Sequence, residues 1–230
     1  GKIGHSTREA TFSVKGTLQD IPEDMDFSKG KVTGEAKVKG LEISHFWPYL
    51  NPWLPMKSIS GTLDLEGRYQ GNFSGPFSTT ARVRVKELLF DYPQVFSYLF
   101  TPRYVRIDVE AEYDLKNLRI PRFSVKMPEI EVRGKGRLYQ IGSERMGLEA
   151  EAQSNPFNLS DARKFIPYRI ITPEVSQRLF QAEGGGQVQI VSAKVKGKLF
   201  EIEHCDQPPY AHVLTAEVKL NGTFLKLPWD

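Results

Sequence analysis

The sequence predicts a mainly β fold: one long antiparallel sheet, twisted or curled into an open groove or half-tube, with a few short helices. Three observations predict it. Apolar and polar residues alternate with period two in roughly ten segments along the 230 residues. The polar positions fall on one face only, which favours antiparallel strands, because buried parallel strands read as continuous apolar runs. Helix-period patterning is scarce. A closed β-sandwich is the alternative that the same alternation allows.

In chain order, the first clear strand is Lys31 to Lys39, where Val32, Gly34, Ala36 and Val38 share the apolar face. Ser44 to Leu50 allows a helical turn or two before Pro52. Ser60 to Gly67 reads as a glycine-started strand, and Val83 and Val85 alternate with Arg82, Arg84 and Lys86. Pro93 to Phe100 fits either helix or loop. Tyr104 to Leu115 alternates throughout: Val105, Ile107, Val109, Ala111 and Tyr113 against Arg106, Asp108, Glu110, Glu112 and Asp114. Lys116-Asn117 is then a two-residue turn. Pro121 marks an edge or a bulge in the strand that follows, because proline cannot donate to a ladder. Ile130 to Leu138 and Leu148 to Gln153 alternate again. Ser160 followed by Asp161 to Ile166 reads as a capped short helix, and Thr172-Pro173-Glu174 as a second helix start. Gly184 to Gly186 stops that helix and begins a strand through Gln187 to Ile190, with Ala193 to Leu199 alternating beyond it. Asn221-Gly222, between two alternating segments, predicts a type I′ hairpin.

Composition narrows the function classes. The hydrophobic fraction is 40% and the charged fraction 26%, ordinary for a folded chain. A formal net charge of +3 gives no sign of a nucleic-acid partner. The uncharged run Ile43 to Met56 carries three prolines, and no segment approaches the ~18 apolar residues of a spanning helix. The single cysteine, Cys205, excludes an internal disulfide. Asn72, Asn158 and Asn221 begin N-x-[ST] triplets of a kind that arises by chance.

Motifs for catalysis are absent. There is no G-x-S-x-G and no phosphate-cradling loop. Gly184 to Gly186 precedes a strand, so it lacks the helix N-terminus that phosphate loops use. The ladder Asp108, Glu110, Glu112 and Asp114 has a spacing that acid/base pairs can use, but any charged strand face produces it. His204, Cys205, Asp206 and His212 match no zinc spacing. No catalytic residue, metal site or cofactor is expected, and an enzyme is the weakest reading. The basic ladders Arg82, Arg84, Lys86 and Lys194, Lys196, Lys198 could meet anionic headgroups, or serve as an ordinary solvated face.

Shifting the chain by 116 positions lays Val32, Gly34, Glu35 and Ala36 on Leu148, Ala150, Glu151 and Ala152, and Ile43-Ser44 on Leu159-Ser160. The chain therefore reads as one elongated β module over 1–230, with repeat units at about 31–146 and 147–230. The phrases Leu41 to Leu50, Ile59 to Gly67 and Phe77 to Leu89, echoed in Phe157 to Ile166 and Gly184 to Gly197, resemble the AsmA-like family of the diderm bacterial envelope. The resemblance covers most of residues 30–200 through degenerate hydrophobic-and-glycine patterns. It implies a long curled sheet with an apolar groove, periplasmic and anchored at the inner membrane, associated with phospholipid transport and outer-membrane biogenesis. The chain starts at Gly1 without the family's amino-terminal anchor, so a piece of a longer protein is expected.

On this reading the partner is a phospholipid or another acyl-chain ligand, with the inner membrane met through the missing anchor. The candidate groove lining is Val105, Ile107, Val109, Tyr113, Ile130, Val132, Leu148 and Ile190. Small residues on the same face, such as Gly34 and Gly134, should leave room for the ligand. Phe46, Trp47, Tyr49 and Trp53 form a candidate aromatic gate or docking patch, or a plug over one end of the sheet. The alternative function is an assembly scaffold with no lipid. The sequence is silent on oligomeric state.

Overall fold

Alternating apolar residues can bury one strand face at a time, and this chain does so with a single sheet. The computed structural model describes residues 10–20, 30–51, 56–72, 75–162, 164, 168–169, 183–205 and 207–226. Eleven strands run β1 (Thr11–Gln19), β2 (Lys31–Glu42), β3 (Ser58–Asn72), β4 (Phe77–Asp91), β5 (Tyr104–Tyr113), β6 (Leu118–Lys126), β7 (Glu131–Tyr139), β8 (Gly147–Ser154), β9 (Phe157–Asn158), β10 (Glu183–Lys198) and β11 (Leu214–Lys226). All join one antiparallel sheet in chain order from β1 to β8, then β10 and β11, with β9 paired to β10. The sheet is not closed, and among the described residues no second sheet packs on it, so the sandwich alternative is not adopted.

Helices are short: α1 (Trp47–Leu50) after a 3-10 turn at Ile43–Phe46, α2 (Leu159–Ala162), and α3 (Leu199–Glu203), followed by a 3-10 segment at Pro208–Val213. Ser160 lies inside α2 instead of capping it. Pro93 to Phe100 is a loop, pinned where Phe90 and Phe100 exchange backbone hydrogen bonds at 2.9 and 3.0 Å. The helix start at Thr172 lies outside the described residues. Nothing in the alternation signalled α3, where the Glu201 carboxylate accepts from the Lys198 amide at 2.8 Å.

Two turn assignments are corrected. The β5–β6 turn residues are Leu115 and Lys116, one position earlier than expected, because Asp114 exchanges with Asn117: the Asp114 amide donates to the Asn117 carbonyl at 3.0 Å. The Asp114 carboxylate accepts from the Lys116 and Asn117 amides at 3.2 and 2.7 Å and stabilises Leu115 at φ 72°. The Asn221-Gly222 hairpin does not form. β11 continues through it, pairing Asn221 with Gln187 and Phe224 with Gly185. Gly222, at φ 56°, occupies a bulge in that strand, so the φ > 0 signal is used for a bulge and not for a reversal.

Bulges recur elsewhere. The register slips between Val38 and Leu41, between Ser60 and Thr62, at Pro121 in β6, and between Ile190 and Ser192. Pro121 thus lies in a bulge of an interior strand, where a missing N–H costs no ladder bond. Each bulge bends its strand and adds twist.

Candidate ligand-binding face

The apolar face is built from inward positions of successive strands. Val85, Val105, Met127, Ile130, Phe157, Val188 and Ile43 form its buried cluster, with Ile107, Val125, Val132 and Ile190 packed against it. Five of the eight expected lining residues therefore come together: Val105, Ile107, Ile130, Val132 and Ile190. Val109 is half-buried on the same strand. Leu148 pairs with Leu138 across β7–β8, away from the cluster. Tyr113 sits at the far end of β5, its hydroxyl donating to the Leu115 carbonyl at 3.1 Å.

Among the described residues little covers this face. No described side chain is completely buried, and even Val213, the most enclosed hydrophobic residue, keeps 3% exposure. The described helices pack chiefly on β3, β9 and β10. The end of β4 and the β4–β5 loop carry an aromatic cluster, Phe90 with Tyr92, Phe96 and Phe100 at centroid distances of 6.0 to 6.3 Å, and Tyr98 packs against Tyr168. Of the expected aromatic patch, Tyr49 is 76% and Phe46 41% exposed. Trp47 is half-buried, and Trp53 lies outside the described residues.

Gly34 and Gly134 do not leave the expected room. A Cβ on Gly134 would stand 2.7 Å from the Phe123 ring and against the Glu151 carbonyl. Gly34 is covered by the Tyr69 hydroxyl, and Gly147 by the Tyr139 ring. Each glycine lets an aromatic ring from a neighbouring strand lie flat across the sheet, so the space is filled from within.

The opposite face is charged and largely self-neutralised. Arg82 and Arg106 both donate to Asp108, at 2.6 and 2.8 Å. Arg122 pairs with Glu110, Arg119 with Glu112 at 3.4 Å, and Arg133 with Glu131 at 2.7 Å. Glu149 is held by Arg137 at 2.7 Å and Lys196 at 3.6 Å, and Glu151 by Lys135 and Lys194 at 3.5 and 3.6 Å. Burial pushes the Asp108 carboxyl up, but the two arginines outweigh it and hold it below the ordinary carboxylate value. The hydrogen bonds from Arg133 and Arg137 do the same for Glu131 and Glu149. Each strand carboxylate of the Asp108 ladder is thus engaged by arginine, and Asp114 serves the turn. The basic ladders are likewise matched to carboxylates at Arg82, Lys86, Lys194 and Lys196.

A cavity of about 990 Å³ crosses this charged face, bordered by strands from β2 to β10 and including Arg82, Asp108, Arg122, Arg133 and Glu151. A second, of about 620 Å³, lies toward Lys31, Glu112 and Arg119. Sequence reasoning missed both, because side chains from eight strands meet at the first and from five at the second only through the pairing. Among the described residues no three metal-capable side chains converge. His204 stacks on Phe200 at 4.3 Å, its Nδ1 lying 2.8 Å from the Phe200 carbonyl.

No protein family, curated protein or solved structure matches this chain.

Proposed function

We propose that the chain is a lipid-binding β module of an AsmA-like, inner-membrane-anchored periplasmic protein, not an enzyme, and that it takes part in phospholipid transport and outer-membrane biogenesis. It holds an acyl chain against its apolar face. The observation that carries this reading is the unclosed sheet, whose apolar cluster runs from β3 to β10 with no completely buried side chain among the described residues. Apolar surface left so thinly covered is available to an apolar ligand. Burying about ten methylenes contributes about 8 kcal/mol at about 0.8 each. Association costs take much of that, so one chain is held reversibly.

The test is organic extraction of the purified protein and mass spectrometry of the extract, for wild type, Val109→Asp and Glu110→Ala. Phospholipid should accompany the wild type and the Glu110→Ala protein. Val109→Asp should lower occupancy while the fold survives, because an open face lets water reach the new carboxylate. Unfolding by Val109→Asp would mean a sealed core at β5, where an unpaired charge costs several kcal/mol. A folded wild type that takes up no lipid after incubation with it would favour the scaffold reading.

A further inference from the structure

We infer that two copies of this chain join edge to edge, β1 of one pairing with β11 of the next, so that the sheet continues from copy to copy. This goes beyond the lipid reading and does not depend on it. Among the described residues β1 and β11 end the sheet. Edge strands normally carry devices against pairing, such as proline, bulges or inward charges. Here neither strand contains proline, and the bulge at Gly222 in β11 lies beyond residues 214–221, the stretch that would pair. β1 pairs with β2 over nine consecutive residues without a slip. The apolar side chains of both edges stand in solvent: Phe12 and Val14 are 62% and 72% exposed, Val218 and Leu220 48% and 58%.

The occupant follows from the match between the two edges. Antiparallel pairing with Lys15 opposite Glu217 sets Val14 against Val218 and Phe12 against Leu220. It also sets Leu18 against Leu214. The apolar residues meet on one face, and on the other the only acidic residue of either edge segment meets Lys15. A partner with a different charge pattern would not satisfy both rows.

Backbone direction agrees. The Ile190 amide donates to the Ser154 side chain at 2.9 Å, toward β8. Gln189 therefore faces β11 and bonds its partner Lys219, which turns the backbone groups of Val218 and Leu220 outward. On β1, the Lys15 carbonyl is reached by the Tyr69 hydroxyl over Gly34, so it points toward β2. The groups of Phe12, Val14 and Gly16 then point away. Outward residues thus oppose outward residues in the same register that matches the side chains. The sheet path holds ten strands, an even number, so each added copy keeps its orientation and its apolar face on the same side. The contact is heterologous and open-ended.

Sedimentation velocity of the 230-residue chain over a micromolar concentration series tests this. Wild type should form oligomers that grow with concentration. Val14→Pro removes an outward N–H while leaving the β2 ladder intact, and should raise the concentration needed for assembly at least tenfold. Lys15→Glu and Glu217→Lys, both at exposed positions, should each weaken assembly alone. Mixed in equal amounts they should restore it, because every junction in an alternating chain then has opposite charges. A wild type that stays monomeric throughout, or oligomers unchanged by Val14→Pro, would overturn the inference. So would a mixture that assembles no better than the separate variants.

Discussion

Single glycines act in two physically different ways here, and substitution separates them. Gly134 has an ordinary strand backbone, but a side chain there meets the Phe123 ring and a backbone carbonyl that cannot move aside. Gly134→Ala should destabilise the protein by about 1–3 kcal/mol, as overpacking does. The double variant with Phe123→Ala should recover only part of the loss, because the Glu151 carbonyl remains. Gly222 is the reverse case: nothing lies within 4 Å of a Cβ there, but φ is 56°. Gly222→Val should cost about 1–2 kcal/mol through backbone strain alone. Urea midpoints of the three variants would check both statements. A neutral Gly222→Val would remove the bulge assignment. The need for φ > 0 at Gly222 was legible in the Asn-Gly pair. Its use in a bulge was not, because that depends on β10 running alongside.

At the scale of the strand, β5 came through almost whole from its alternation. Only its C-terminal end moved, by two residues, since Asp114 and Leu115 are taken by the turn. Its charged face explains the response to acid. Asp108, Glu131 and Glu149 have folded values below their unfolded ones. In the carboxylate range the unfolded chain therefore binds more protons than the folded one. Their stabilisation is present above the unfolded values near pH 4 and is lost as pH falls through the lower folded values. Denaturant midpoints at pH 7, 4 and 3 should fall in that order, and 1 M salt should reduce the difference by screening exposed pairs. Glu110→Ala removes one exposed ion pair and should change stability by less than about 1 kcal/mol. If it is the damaging change and Val105→Ala is harmless, the faces of β5 are reversed. Val105→Ala, within the buried cluster, should cost about 1–3 kcal/mol.

For the whole molecule, the consequence of an unclosed sheet is its breadth. Nine interstrand steps of about 4.8 Å carry the sheet path over roughly 43 Å. A compact globule of this length has a radius of gyration near 17 Å. Small-angle scattering from the monomeric Val14→Pro protein should give a larger value and an elongated profile. A value at the compact limit would contradict the open sheet. The helical inserts contribute to this shape by position. The segment with α1 lies between the paired β2 and β3, and the segment with α2 between β8 and the β10 it pairs with. Strands on either side of the 146/147 boundary pair directly, so the sheet crosses it without interruption.

The mainly β class, the strand faces and the choice of antiparallel pairing were determined by the sequence itself. They depend on local period-two patterning, and a one-residue slip would turn every side chain to the wrong face. That Pro121 needed an edge or a bulge was equally legible, because a missing N–H is a property of the residue; that it is a bulge follows from β6 lying between β5 and β7. What only the tertiary structure decided is whatever depends on a neighbour. Rings from adjacent strands, not a ligand, fill the space over Gly34 and Gly134. The cavity on the charged face exists because strands from β2 to β10 bring their side chains to one surface. The sheet stays open because β1 and β11 end at opposite edges, and alternation reads the same in an open sheet as in a sandwich. Strand patterns encode which side is dry; how many layers cover that side is set by contacts between residues far apart in the chain.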